Sequence, residues 1–322
     1  MTGDLDGPMM DGPMRDGPKR DGKVRTVLGD IDPGQLGVTY VHEHLIIDSP
    51  IVAELFPHIY LPSVEEAAAE TETCLEAGVT TMVDAMPYAG SYLDKLREVS
   101  FRTGMQIVAS TGLHTEKYYP DDIPIESARF SADVAAGCGV FKAATGPEGI
   151  NPRALRLFTA MAETHLETGV PIITHCEDGH GAVAQIELLT SLGVPLNRVV
   201  ISHTDKVPDP AYHRDILQTG VNLEYDQALR QAAGVQTTPQ LLASMIEEGF
   251  TSQLMLGTDG ARRSLWRTLG GSPGLAYLAA GYAEVLQGHG VGQNELQALF
   301  VGNPARWLVL ATTMTQLPRP PR

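Results

Sequence analysis

The sequence predicts a single-domain α/β protein with the (β/α)8 architecture of a TIM barrel. Three observations predict this fold: eight short apolar, β-branched runs, helix-like segments between most of them, and a glycine-containing turn before many of the runs. We interpret as strands the runs 38–45, 79–84, 106–111, 139–144, 170–175, 198–203, 221–226 and 253–258. Alternation of strands with helices predicts a parallel sheet, and eight evenly spaced units favour a closed barrel over an open, doubly wound sheet.

The segments between the predicted strands have the apolar spacing of helices. Apolar residues recur three and four positions apart in 64–75 and in 158–165. Asn151 and Pro152 precede the second of these segments, which is the pattern of an N-cap followed by proline at the first helical position. Gly169 then stands before the next strand, as expected of a glycine that ends a helix in a tight loop.

The two ends of the chain differ from the rest. Residues 1–25 contain four copies of a five-residue unit that begins with Asp-Gly, and we interpret them as a flexible low-complexity tail rather than a docking tail. Residues 26–308 form the predicted barrel, and 309–322, which are rich in proline near the end, form a C-terminal tail.

The composition narrows the classes of partner. The chain of 322 residues has 39 Asp and Glu against 23 Lys and Arg, a net charge of −16, which disfavours nucleic acid and anionic membranes. Its three cysteines form no C-x-x-C pair and do not suggest a disulfide framework. Without a long apolar segment or a signal-like N-terminus, a cytoplasmic protein that acts on a small molecule is expected.

Residues that bind metals stand at the ends of several predicted strands. His42 and His44 end the first strand, and Lys142, His175, His203 and Asp259 end the fourth, fifth, sixth and eighth strands. The intervals amount to roughly 28 to 33 residues per strand–helix unit, and scattered histidines would rarely keep that step. Because the carboxyl ends of barrel strands meet at one mouth, all six side chains are expected there.

This set of side chains predicts a metal site with two ions. Neutral imidazoles and a carboxylate suit divalent transition metals, and five such ligands exceed the needs of one tetrahedral ion. An ammonium group at Lys142 would repel two dications, whereas a carbamate formed with carbon dioxide would offer one oxygen to each. Water between two cations has a lowered pKa and becomes hydroxide at neutral pH.

The ordered series of ligands resembles the phosphotriesterase family of the amidohydrolase superfamily over residues 24–308. The series is H-x-H, a lysine in the fourth strand, T-H, S-H and an aspartate after the eighth strand. Further matching segments are Thr-Val-Leu-Gly at 26–29, Arg-Glu-Val-Ser at 97–100, Asp-Pro-Ala-Tyr-His at 209–213 and Gly-Asn-Pro-Ala-Arg at 302–306. A single H-x-H would be weak support, but the ordered set is specific.

The resemblance implies a binuclear site, usually zinc, with cobalt, manganese or iron as alternatives. His42, His44 and Asp259 would bind the buried ion, and His175 and His203 the exposed one. Carboxylated Lys142 would bridge the two ions. Asp259 would also be catalytic, orienting the hydroxide and accepting its proton.

The chain departs from the family pattern around the substrate. Lactonases of the family often have T-G-x-Y after the third strand, where this chain has Thr-Gly-Leu-His ending at His114, and it reads Asp-Gln rather than Asp-Arg at 226–227. The segment from Asp259 to Trp266 resembles relatives that hydrolyse sugar lactones, in which an arginine meets an anion. The candidate substrate-binding residues are therefore His114, Tyr225, Arg262 and Trp266, and aromatic packing is the alternative for Tyr225 and Trp266.

Several conspicuous residues have a structural interpretation. Alternation along the first strand places Val38 and Tyr40 on the side of His42, and Glu43 on the opposite side, where it would pair within the helix layer. The acids Glu65, Glu66, Glu70 and Glu72 are expected on a solvated helix face.

We interpret the chain as a metal-dependent hydrolase that opens lactones, including hydroxylated or phosphorylated sugar lactones. Organophosphate triester hydrolysis is the main alternative. Amide or nucleobase hydrolysis and a non-catalytic metal-binding barrel are the remaining ones. Relatives are commonly dimers, so a homodimer is expected.

Overall fold

The computed structural model describes residues 22–87 and 92–311. Its main sheet has eight parallel strands, surrounded by helices, and strands that are consecutive in the chain are neighbours in the sheet. A separate antiparallel hairpin precedes it, formed by β1 (Val24–Thr26) and β2 (Gly29–Ile31). The barrel strands are β3 (Val38–Glu43), β4 (Val79–Asp84), β5 (Gln106–Gly112), β6 (Cys138–Thr145), β7 (Ile172–Cys176), β8 (Val199–Ser202), β9 (Asn222–Tyr225) and β10 (Leu254–Leu256). The eight predicted strands and the barrel are confirmed.

The helices lie between the strands and beyond the last one. They are α1 (Pro50–Leu55), α2 (Val64–Glu76), α3 (Leu93–Thr103), α4 (Ser127–Ala136), α5 (Pro152–Thr168), α6 (Ala182–Ser191), α7 (Pro210–Leu217), α8 (Ala228–Gln231), α9 (Thr238–Glu247), α10 (Gly281–Gly288), α11 (Gln293–Gln297) and α12 (Asn303–Leu308). The predicted start of α5 is confirmed, because the Asn151 side chain accepts a hydrogen bond from the Ala154 amide at 2.8 Å. Within the described residues, no helix is long and apolar enough to cross a membrane.

The edge strands β3 and β10 are joined by hydrogen bonds just beyond β10. The amides of Thr258 and Asp259 donate to the His42 carbonyl at 3.1 and 3.0 Å. The buried Glu43 carboxylate accepts hydrogen bonds from the amide and hydroxyl of Thr258. A side chain at Gly257 would approach the backbone of His42 within 3.0 Å, so only glycine allows this contact. The expectation that Glu43 has a structural pairing agrees with these bonds.

The N-terminal end of the barrel is closed by an apolar plug. Inward side chains of seven strands pack there with the hairpin and α12: Val24, Val41, Val83, Val108, Val140, Ile173, Val200, Met255, Trp307 and Leu308. Val24 lies in the segment predicted as the tail but belongs to β1, while 1–21 and 312–322 fall outside the described residues. The accessible end of the barrel is therefore the carboxyl end of its strands.

The prediction that Tyr40 lies on the same side of β3 as His42 is wrong. Tyr40 packs in the helix layer, where its hydroxyl accepts a hydrogen bond from the Ala279 amide at 2.8 Å and its ring lies 6.3 Å from that of Phe300. His42 instead faces the barrel interior, where its Nε2 lies 3.2 Å from the Lys142 amine. The pairing of β3 with β4 shifts register between Tyr40 and Glu43, and such an irregularity breaks the simple alternation of sides.

Candidate metal centre

The six predicted ligands come together at the carboxyl end of the barrel. His42 Nε2 lies 3.2 Å from Lys142 Nζ and 4.0 Å from Asp259 Oδ1. His44 Nε2 lies 3.1 Å from the same Asp259 oxygen. One donor atom each from His42, His44 and Asp259 falls within 4.8 Å of the others. These three residues form one compact set, which is the set expected for the buried ion.

The other two predicted histidines lie directly beside this set. The His203 ring centroid is 5.0 Å from that of His42 and 4.5 Å from that of His175. Lys142 is fully buried, and the three histidines are at most 8% exposed. The predicted exposed-ion residues His175 and His203 are therefore neighbours of each other and of the first set.

Strand alternation places two of the predicted ligands one layer above the apolar plug. On β6, Val140 belongs to the plug and Lys142 points the same way one layer higher. On β7, Ile173 and His175 repeat this relation. β6 continues past Lys142 to Thr145, so the lysine lies within its strand and not at its end.

Two predicted ligands reach the site through unusual backbone conformations. His203 and Asp259 have φ angles of 68° and 44°, in the left-handed region that residues other than glycine seldom adopt. His203 follows β8 and Asp259 follows β10, where the positive φ turns the chain out of strand geometry. Backbone strain of this kind is concentrated at functional sites.

Two carboxylates that the sequence interpretation did not assign to the site lie behind the histidines. Glu224 Oε1 lies 2.5 Å from His42 Nδ1, and Asp226 Oδ2 lies 2.6 Å from His203 Nδ1. Both carboxylates are fully buried. Glu224 fixes which ring nitrogen of His42 remains for a ligand, as carboxylates behind metal-binding histidines generally do, and Asp226 lies against the ring of His203. The signal in the sequence was the Glu-x-Asp pair, whose spacing puts both on one side of the strand.

Burial favours the neutral form of three of the site histidines, His42, His175 and His203. Burial lowers the pKa of His42 well below its usual range, and the nearby Lys142 adds to the shift. Burial, with His203 beside it, lowers the pKa of His175 to about 3, and burial also lowers that of His203. Neutral imidazoles are the form that binds metal ions.

The lysine is also shifted toward its neutral form. Burial lowers the pKa of Lys142 to about 8, although Glu224, Asp259 and Asp226 act in the opposite direction. A free amine is therefore available within about one pH unit of neutrality. This is the form in which a lysine acts as a nucleophile.

Asp259 forms an ion pair with Arg230, a residue that the sequence analysis did not place at the site. Arg230 on α8 donates from Nη2 to the Asp259 carbonyl at 2.8 Å, and the same nitrogen lies 2.7 Å from Asp259 Oδ2. Burial alone would raise the pKa of Asp259, but Arg230 and the contact with His44 hold it well below its usual range. The carboxylate thus turns Oδ1 toward the histidines and Oδ2 toward the guanidinium.

The residues fit a divalent metal centre. The Nδ1 atoms of His44 and His175 are buried and have no hydrogen-bond partner in the described part of the chain. Unsatisfied buried nitrogens are costly and rare unless a ligand uses them. Together with the neutral imidazoles and the ionised Asp259, they form the donor set that zinc and related ions prefer.

One predicted substrate residue lies at the site, and two do not. The His114 ring is 4.4 Å from that of His175 and 5.1 Å from that of Tyr118, so it forms part of the wall beside the exposed half. Tyr225 points away, and its hydroxyl contacts His213 at 2.8 Å. Trp266 is fully buried, and its indole donates to the Gly260 carbonyl at 2.7 Å. Their aromatic packing follows from strand alternation and from the folding of the loop over the core.

Arg262, the fourth predicted substrate residue, is solvent-exposed on the loop after β10. Among the described residues its guanidinium makes no hydrogen bond or ion pair, although its carbonyl accepts one from the Leu265 amide, so the guanidinium is available to a ligand. Its neighbour Arg263 instead pairs with Glu66 on α2 at 3.0 Å. Arg263 is therefore held in a structural ion pair, whereas the guanidinium of Arg262 is exposed to solvent.

The loop that carries Arg262 is anchored by Glu70, which corrects the expectation of a solvated acidic face on α2. Glu70 is fully buried and accepts hydrogen bonds from the amides of Arg267, Thr268 and Leu275 at 2.9 to 3.2 Å. It also accepts one from the Thr268 hydroxyl at 2.8 Å. The exposed positions Glu65 and Glu72 fit the expectation. An acid on the inner side of α2 satisfies loop amides that would otherwise be buried without acceptors.

Comparisons with known proteins agree with the fold. The model of the phosphotriesterase family matches residues 22–308. The phosphotriesterase homology protein of Mycobacterium tuberculosis is 29% identical, over 88% of this chain and 97% of its own. The phospho-furanose lactonase of Mycoplasmopsis synoviae is 28% identical, over 88% of this chain and 91% of its own. A lactonase structure from Listeria monocytogenes superposes with a TM-score of 0.84 at 26% identity, covering 90% of this chain and all of that one.

The family match spans the barrel and all six predicted ligands, and the similar proteins are hydrolases with the same fold. The chain belongs to the phosphotriesterase family and is a hydrolase.

Proposed function

We propose that this hydrolase opens lactones by using two divalent metal ions held at the barrel mouth. The observation that carries the proposal is the convergence of four histidines, one lysine and one aspartate from five strands of the barrel. A lactone presents a single carbonyl group, and its leaving alkoxide stays attached to the product. One activated water and one polarising ion therefore suffice for its hydrolysis.

Each of the site residues has a defined task in this reaction. When bound, the two ions supply an activated water and polarise the carbonyl oxygen of the substrate. His42, His44 and Asp259 would hold the buried ion, and His175 and His203 the exposed one. Asp259 Oδ1 faces the histidines, where it can orient the water and accept its proton.

Lys142 is proposed to bridge the ions as a carbamate. Its neutral amine adds to carbon dioxide, forming a nitrogen–carbon bond and releasing one proton. The lowered pKa, about 8, keeps a fraction of the amine neutral at cellular pH. The product would carry one negative charge shared by two oxygens, where an ammonium group would oppose metal binding. We propose zinc as the native ion, with cobalt, manganese and iron as possible substitutes.

The loop after β10 supports a polar or anionic substrate. The guanidinium of Arg262 is exposed and has no partner among the described residues, and a guanidinium gains most from a carboxylate or phosphate. A neutral triester offers no such partner. The similarity to a phospho-furanose lactonase supports the same choice. We therefore propose hydroxylated or phosphorylated sugar lactones as substrates; a cytoplasmic location and a homodimer remain predictions.

The test is a substrate panel measured after reconstitution with zinc, cobalt or manganese in the presence of bicarbonate. The panel contains neutral lactones, phosphorylated sugar lactones and a paraoxon-like triester. We expect kcat/KM to be highest for a sugar lactone. A triester that exceeds every lactone would overturn the substrate assignment while leaving the metal site in place.

A further inference from the structure

Glu177 lies against a predicted ligand of the exposed ion, although it is not itself one of the predicted ligands. It begins the short helical turn Glu177–Gly179 directly after β7. Its Oε2 atom lies 2.8 Å from His175 Nε2, and its side chain is 26% exposed. The contact joins the rim of the barrel mouth to a histidine of the centre.

The two ring nitrogens of His175 have different surroundings. Nε2 meets the Glu177 carboxylate, which can only accept a hydrogen bond when ionised. Nδ1 is buried and has no hydrogen-bond partner in the described structure. In a neutral imidazole, a proton on Nε2 leaves the lone pair on Nδ1. Glu177 therefore selects the tautomer whose free nitrogen faces the interior of the site.

We propose that Glu177 is the positioning residue of the exposed half of the metal centre. It fixes the ring orientation and the tautomer of His175, so that Nδ1 is presented to the ion. The inference rests on the proposed two-ion site. It assigns to Glu177 a role that acts through His175, without direct contact with the reacting atoms.

A second contact restrains Glu177 itself. Lys117 Nζ lies 3.6 Å from Glu177 Oε1, and Lys117 belongs to the turn Glu116–Tyr118 that follows β5. The loops after β5 and β7 thus hold the carboxylate from two sides. Because the pair is about one-third exposed on average, it contributes less than the contact with His175.

The buried half of the centre has an independent support. His42 Nδ1 is held by Glu224, which is fully buried on β9. His44 contacts Asp259, which forms an ion pair with Arg230. Glu177 forms no hydrogen bond or ion pair with His42 or His44 in the described structure. Loss of Glu177 is therefore expected to weaken the binding of the exposed ion more than that of the buried ion.

The first experiment measures the affinity of each ion by competition with a chelator, using zinc or cobalt and full-length protein. In Glu177→Ala we expect the second ion to bind about 10- to 100-fold more weakly, the usual effect of losing such a partner. The first ion should keep its affinity within about twofold. Glu177→Gln should recover most of the loss, because its amide oxygen accepts the same hydrogen bond from His175.

Asp178→Asn is the matched control. Asp178 is the next residue in the same turn, it is exposed, and its φ of 51° suits asparagine. The change removes the same charge near the site without touching His175. The proposal is overturned if this control lowers the affinity for the second ion as much as Glu177→Ala does. It is also overturned if Glu177→Ala lowers the affinities for both ions equally, or lowers neither.

The second experiment needs no metal. Nitrogen-15 chemical shifts of the imidazole in metal-free protein report which ring nitrogen carries the proton. We expect the Nε2-protonated form of His175 in wild type and a mixture of tautomers in Glu177→Ala. A wild-type ring protonated on Nδ1 would contradict the role of Glu177. If only one ion binds to wild type, the two-ion site fails, and the shifts still decide the positioning of His175.

Discussion

The buried Glu70 holds the loop after β10, and the loss of stability expected when it is removed follows from its contacts. Glu70→Ala removes an acceptor that binds three backbone amides and one hydroxyl of the loop after β10. Each buried donor left without a partner costs about 1–3 kcal/mol, and relaxation of the loop toward water recovers part of the sum. We expect the free energy of unfolding to fall by about 3–5 kcal/mol.

Glu70→Gln separates the geometry from the charge. If its oxygen takes the place of Oε1, which receives the amides of Arg267 and Leu275, its NH2 group then meets the Thr268 amide. Two donors would face each other there, while the Thr268 hydroxyl could turn and accept. An intermediate loss of about 1–3 kcal/mol is expected.

Urea unfolding followed by circular dichroism measures these changes, and Glu72→Ala is the control. Glu72 is exposed on the same helix, so its removal should change stability by less than about 0.5 kcal/mol. Limited proteolysis should cut the loop 263–275 faster in Glu70→Ala than in wild type. The reasoning is refuted if Glu70→Ala unfolds within about 1 kcal/mol of wild type, or if the control loses as much.

The remaining predictions concern the metal site and the substrate. Elemental analysis of protein purified without chelator should find about two divalent ions per chain, the number expected from the paired ligand sets; one ion or none after reconstitution with bicarbonate would contradict this. Lys142→Ala should lose metal and activity, and short carboxylic acids should partly restore both; a fully active variant would remove the bridge. Asp259→Asn should lower kcat by orders of magnitude because its amide accepts no proton, which steady-state kinetics would show; wild-type turnover would exclude it from the mechanism. Arg262→Ala should raise KM for an anionic lactone about tenfold or more and leave a neutral lactone nearly unchanged, and equal effects on both would refute the anion contact.

The strands and the positions of most predicted ligands were predictable because both follow simple geometric rules. Parallel strands buried on two faces are nearly continuous apolar runs, and a barrel brings their carboxyl ends to one mouth. Lys142 and His175 obey strict alternation above Val140 and Ile173, so their convergence could be read from spacing alone.

The remaining features depend on contacts between distant parts of the chain. The register shift in β3, which separates the sides of Tyr40 and His42, leaves no mark in the apolar pattern. Glu70 resembles its solvated neighbours in sequence, and only the path of the loop after β10 makes it an internal acceptor. Arg230 reaches Asp259 from a short helix whose placement no periodicity defines.

Strain at the mouth of the barrel indicates why a rigid scaffold is needed. In the described residues, the non-glycine residues with positive φ are Asp178, His203 and Asp259, which follow β7, β8 and β10. Conformations of this kind cost about 1–3 kcal/mol each and persist only when neighbouring contacts hold them.

Those contacts are present at both of the strained residues that are predicted ligands. The His203 amide donates to the Asp226 carboxylate at 3.2 Å, and its carbonyl accepts from the Lys206 amide at 3.1 Å. The Asp259 amide donates to the His42 carbonyl at 3.0 Å, while Arg230 binds its carbonyl. Glycine would relieve the backbone at either position but would remove a proposed ligand. The barrel therefore supports residues whose backbone conformations are unfavourable for stability, a combination that is concentrated at functional sites.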